Sequence, residues 1–136
     1  MAASAIYPGV LKSPVTRLQN SDSTNFVQIL SGAVLGTKIE TICGTTDDTT
    51  AVILQLCVTN GGIDYVIGEV TLPIGSGTNG VAKAVNLLNT TDFPWLRNDG
   101  VNNYLWLENG FALKARAKTA ITAGKFVYLY TQSGEY

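Results

Sequence analysis

The sequence contains no histidine among its 136 residues. That absence removes the commonest acid–base group at neutral pH and the commonest metal ligand. Charge is scarce as well: 14% of residues are charged, well below the roughly 25% usual for soluble domains. The net charge is −1, so no basic field exists to hold nucleic acid or an anionic membrane. Only two cysteines occur, Cys43 and Cys57. Both fall in predicted strands, where cysteine behaves as a small buried hydrophobe; a disulfide across a hairpin is the alternative. No apolar run reaches the roughly 18 residues that a membrane-spanning helix needs. The first residues have neither a basic n-region nor a continuous apolar h-region, so they do not read as a signal peptide, and the chain reads as an unprocessed intracellular product. Nothing in the composition calls for a cofactor or a metal.

What is present is a succession of β-type segments. At this length one domain is expected, large enough to bury a core without staples. Residues 1–14 carry Pro8 and Pro14, which forbid a regular helix, yet also Ile6, Tyr7, Val10 and Leu11. This reads as an extended N-terminal arm, lying either on its own domain or on a neighbouring subunit. Residues 15–136 read as a single β domain. Residues 15–19 and 26–30 alternate apolar and polar around the turn-forming Asn20, Ser21, Asp22 and Ser23, which predicts a first hairpin. Further on, Ile39, Thr41 and Cys43 share one predicted strand face, opposite Lys38, Glu40 and Ile42. Residues 52–58 are nearly apolar on both faces, as in a central strand covered on both sides. Asn60, Gly61 and Gly62 suit a tight hairpin. In the strand that follows, Tyr65 and Ile67 share one face and Val66, Val70 and Leu72 the other, with Gly68 as a bulge candidate.

Residues 75–80 match G-x-G-x-x-G. They lack the direct strand-to-helix turn and parallel βαβ setting of a dinucleotide site, and read as a flexible surface loop. Residues 85–89 read as one short helical turn. Residues 98–100 echo a calcium loop, but Trp95 stands where the first carboxylate belongs. In residues 90–100, the large side chains Phe93, Trp95 and Leu96 beside Arg97 read either as a plug for the core or as an exposed anchor for a partner. Residues 111–118 alternate strictly, with Lys114, Arg116 and Lys118 on one face. That face is either solvated or set against an acidic partner. Without histidine a hydrolase would need paired carboxylates. Asp47 and Asp48 lie in a turn and the other acids are scattered, so a non-enzymatic protein is expected. About eight antiparallel strands predict an all-β fold, a β-sandwich or flattened barrel.

From Gly36 onward the order of signatures is distinctive. It runs through Thr37-Lys38-Ile39-Glu40-Thr41-Ile42, Val58-Thr59-Asn60-Gly61-Gly62, Tyr65-Val66-Ile67-Gly68 and the Pro73-Ile74-Gly75-Ser76-Gly77-Thr78-Asn79-Gly80 loop. Ala84-Val85-Asn86-Leu87-Leu88-Asn89, Asn98-Asp99-Gly100 and Tyr104-Leu105-Trp106-Leu107 follow. This order, over about 100 residues, resembles small structural proteins of tailed bacteriophages, and in particular capsid decoration (cement) proteins. The resemblance carries no active site. It implies a virion protein made in the host cytoplasm that binds the outer surface of a capsid, with the major capsid protein as partner, in many copies and as a homo-oligomer, a trimer being favoured. The partner surface expected from the arm and the loop is Ile6, Tyr7, Pro8, Val10, Leu11, Phe93, Trp95, Leu96 and Arg97. Two other readings are a tail-tube or head–tail connector subunit, and a carbohydrate-binding adhesin module that stacks sugars on Trp95, Trp106 and the tyrosines.

Overall fold

The computed structural model describes residues 9–136. Among these described residues eleven strands form two antiparallel sheets that face each other and do not close into a barrel. The fold is the expected all-β sandwich. In chain order the strands are β1 (Val10–Lys12), β2 (Val15–Gln19), β3 (Val27–Ser31), β4 (Thr37–Thr46), β5 (Val52–Asn60) and β6 (Ile63–Leu72). Then come β7 (Val85–Asn86), β8 (Arg97–Asn98), β9 (Asn103–Leu107), β10 (Ala112–Ala117) and β11 (Phe126–Glu135). The first sheet runs β1-β11-β4-β9-β8, with β2 also on β11 and β7 also on β4. Its registers place β1 and β2 end to end along one side of β11, and β9 and β7 end to end along one side of β4. The second sheet runs β3-β10-β5-β6.

Between the sheets lies one apolar core. Ile39, Ile42, Val127 and Leu129 enter it from the first sheet, and Leu54, Leu56, Leu113 and Ala115 from the second. Irregular pairing sets which residues arrive there. Ile39 and Ile42, expected on opposite faces of β4, are both fully buried. Against β11, Ile39 pairs with Ser133 and Thr41 with Gln132, so Glu40 is an extra residue. Such a bulge reverses the side-chain alternation beyond it. The same device operates in β6, where Gly68 pairs with Leu56 and Val66 with Cys57, leaving Ile67 unpaired. Val66 therefore faces outward, while Val70 and Leu72 face the core. Gly68 sits at the predicted bulge, and its missing side chain leaves the space that the Phe93 ring occupies.

Other expectations are corrected. β2 and β3 do not form a hairpin: β2 pairs with β11 and β3 with β10. A single 3-10 turn at Asn20–Asp22 carries the chain from one sheet to the other, so Leu18 and Ile29 reach the core from opposite sides. β5 is central in its sheet, but its outer face is open at Ile53 and closed only at Cys57. Residues 85–89 are not helical, because Val85 and Asn86 pair with Gly44 and Cys43 of β4. Cys43 and Cys57 are free thiols on different sheets. The glycine-rich residues 75–80 pack on the end of β4: Ser76 is fully buried and donates to the Lys83 carbonyl at 2.6 Å, and Thr78 donates to the Thr46 carbonyl at 2.9 Å. Residues 10–12, read as part of an arm lying on its own domain or on a neighbouring subunit, pair with the chain's own β11, as the first of those readings has it.

One carboxylate ties the loops at one end of the sandwich. Asp48 is 2% exposed. Its Oδ1 accepts from the Thr50 backbone (3.0 Å), the Thr50 hydroxyl (3.1 Å) and the Thr122 hydroxyl (2.7 Å), and its Oδ2 from the Thr122 backbone (3.0 Å). Burial opposes ionisation, but the bonds from Thr122 and Thr50 outweigh it and hold the pKa below the ordinary value. A carboxyl whose folded pKa is depressed stabilises fully above its unfolded pKa of about 3.9, and loses that contribution as pH falls through the folded value. Asp48→Ala should therefore cost about 1–3 kcal/mol at pH 7. Urea unfolding should show the gap from wild type narrowing once the pH drops below about 4.

Candidate contact surface

β9 alternates as its sequence requires. Leu105 and Leu107 point to the core, and Tyr104 and Trp106 point out. On the side away from β4, β9 has a neighbour only at its start, where β8 pairs Arg97 with Tyr104 and Asn98 with Asn103. Among the described residues no strand covers residues 105–107 on that side. A cleft of about 750 Å³ opens there between the two sheets. Val58 and Phe111 of the second sheet line it, together with Trp95, Arg97 and residues 104–108.

Both indoles at the cleft are held in place while remaining half-exposed. Trp95 is 47% exposed; its Nε1–H donates to the Ile67 carbonyl at 3.2 Å, beside the β6 bulge. The Phe93 ring meets it edge-on, with centroids 6.1 Å apart. Trp106 is 40% exposed. It lies 5.5 Å from the Tyr136 ring and backs onto Gly36, whose φ of +99° and lack of a side chain admit the indole. Below Tyr104, Lys38 places its ammonium 4.8 Å from the ring centroid and donates to Asp99 at 2.7 Å. Asp99 also accepts from the Asn102 and Val101 backbones in the β8–β9 turn. These bonds, the Asn102 one foremost, hold its pKa far below the ordinary value. The turn that sets the rim of the cleft is thus pinned by a carboxylate.

The residues expected to contact a partner separate into groups. Ile6, Tyr7 and Pro8 lie outside the described residues. Val10 and Leu11 are exposed on β1, Leu11 by 79%, at the opposite edge of the first sheet from Arg97. Arg97 is exposed and opens β8, and Leu96 is half-buried against the core. Phe93 is a correction: at 1% exposure it plugs the core over Gly68 and has no surface to offer. Most of the cationic face of β10 is also answered within the chain, Lys114 least closely. Lys118 pairs with Glu69 at 2.8 Å, Lys114 lies 4.0 Å from Asp64, and Arg116 donates to Gln55 at 2.9 Å and covers the Phe26 ring.

Sequence reasoning missed the end of the β5–β6 hairpin. Residues 63–66 are exposed throughout, and Ile63, Tyr65 and Val66 are each more than half exposed. Tyr65 pairs with Val58, itself a cleft residue, so the hairpin end and the cleft adjoin. It missed Glu108 and Phe111 too, and had Trp106 and the tyrosines only as a platform for sugars. The usable signal was phase: Trp106 lies out of step with Leu105 and Leu107, and a large ring on the outer side of a strand is uncommon without a partner.

These placements predict opposite outcomes for neighbouring aromatics. Phe93→Ala should cost about 3–5 kcal/mol by denaturant unfolding. Trp95→Ala should cost about 1 kcal/mol, the scale of one net hydrogen bond, because much of its ring is already in water.

Among comparisons with known proteins, no family model matches this chain and no curated protein matches it. A solved pentameric capsid protein isolated from metagenomic phage sequences is similar at 17% identity with a TM-score of 0.41. The match covers 98% of this chain and 63% of that one, so this chain spans less than two thirds of its length. A TM-score of 0.41 transfers neither fold nor role.

Proposed function

We propose that this is a non-enzymatic structural protein of a bacteriophage particle, a decoration protein bound to the outer surface of the capsid. Support comes first from the order of strand and loop signatures between Gly36 and the C-terminus. The observation that carries the reading is the open end of the sandwich. Held indoles, a bare strand edge and an exposed apolar hairpin lie side by side on a surface poor in charge. Exposed apolar patches and uncovered strand edges are surfaces for other protein. On this reading the partners are the major capsid protein and further copies of the chain, the trimer being the assembly that the resemblance implies. A ligand that prefers one state of a shell stabilises that state, and many weak contacts add up through avidity.

The second reading is carbohydrate binding, favoured by Trp95 and Trp106 standing half-exposed at one cleft. A glycan array with hits above background would support it.

Electron microscopy of purified particles labelled with an antibody to this chain tests the first reading. Label spread over the whole shell is expected. Label only at a vertex or on the tail would overturn decoration in favour of a connector or tail-tube subunit, and unlabelled particles would overturn the virion role.

A further inference from the structure

We propose that the end of the β5–β6 hairpin of one copy seats in the β9 cleft of a second copy. This inference rests on the homo-oligomer part of the reading above and names the surfaces that would form it. The inserting part is residues 60–66. Among the described residues β6 pairs only with β5, which leaves its outer edge free. Val66 pairs with Cys57 and Tyr65 with Val58, which puts Val66 and Tyr65 on opposite faces of the strand, and both are 52% exposed. The hairpin end is therefore uncovered on two faces and one edge, a state that invites pairing with another strand.

The receiving part matches it. Residues 105–107 of β9 present a backbone edge without a strand, and Val58, Phe111 and Trp95 supply an apolar lining. An incoming strand there would continue the line of β8, with main-chain bonds along the edge and side chains alternating into the cleft and out of it.

Charge chooses a second copy as the occupant. Arg97 at the cleft makes no ion pair among the described residues. The hairpin end carries one charge, Asp64, whose own cation, Lys114, stands off at 4.0 Å. Seating the hairpin brings Asp64 of one copy to Arg97 of the next, where guanidinium and carboxylate can bond in two places at once. Insertion and reception lie on the same chain, so each copy can give and receive.

Light scattering on protein eluting from a gel-filtration column tests this with wild type, Asp64→Arg, Arg97→Asp, the double swap and Val66→Glu. Thermal melts check that each variant is folded. Wild type is expected to run as an oligomer, the three single variants at monomer mass, and the double swap as an oligomer again. A monomeric wild type would overturn this contact together with the homo-oligomer reading. Single variants that stay oligomeric would overturn the contact alone, leaving the oligomer formed through another surface. A double swap that remains monomeric would overturn the Asp64–Arg97 pairing.

Discussion

The antiparallel pairing of β4 with β11 is the constraint on which the rest of the structure depends. It joins residues 37–46 to residues 126–135, 80 or more positions further along the sequence, over nearly the whole of both strands. Each end is locked by further bonds. At one, the Thr46 hydroxyl donates to the Phe126 carbonyl at 2.9 Å and the Phe126 N–H donates to Asp47 at 2.8 Å. At the other, the Tyr136 N–H donates to the Gly36 carbonyl at 3.0 Å. Every other strand of the first sheet borders this pair or hangs from it: β1 and β2 on β11, β7 and β9 on β4, and β8 on β9. Closing so long a loop delays the sheet until most of the chain is in place, which makes this a topology of slow, non-local assembly.

The pairing also decides what faces outward. The β4 bulge at Glu40 brings both Ile39 and Ile42 inward and leaves Glu40 beside Lys38 on the surface, their charges 3.8 Å apart. β9, seated on the first residues of β4, turns Leu105 and Leu107 to the core and Trp106 to the outside, where Gly36 and Tyr136 hold the ring. Two faces then differ sharply. On the outer side of β10 and β6, Lys118 with Glu69 and Arg116 with Gln55 satisfy one another. At the hairpin and cleft, apolar side chains and a strand edge have no such partners among the described residues. Ion pairs on a solvated face contribute little to stability but keep it inert to other proteins; the apolar end has no such protection.

Much of this was legible in the residues. Strict alternation in residues 111–118 located β10 and its inward face, and Asn60, Gly61 and Gly62 marked the tightest hairpin. Gly68 marked a bulge because a glycine inside a strand often stands at one, although plain alternation puts Val66 on the face of Val70 and Leu72. What escaped depended on partners distant in sequence. Nothing local says that residues 15–19 pair with residues 126–130 instead of residues 26–30, since both choices bury Leu18. The Glu40 bulge is written in the register with β11, not in β4 itself. Phe93 could not be told from Trp95 without Gly68, which supplies the space for one ring and not for the other. The contact surface was half legible: Trp95 and Arg97 are at the cleft, while Val10 and Leu11 belong to the far edge of the sheet.

Hydrogen–deuterium exchange, compared between wild-type protein and the Arg97→Asp variant, tests most directly the claim that a rigid β4–β11 frame presents the hairpin and cleft for contact. The account predicts slow exchange along β4 and β11 in both states. It predicts protection at residues 63–66 and 105–107 in the wild-type oligomer that the monomeric variant lacks, because those edges are bare in the single chain. A difference confined to β1 or to the outer face of β10, with residues 63–66 and 105–107 unchanged, would contradict it.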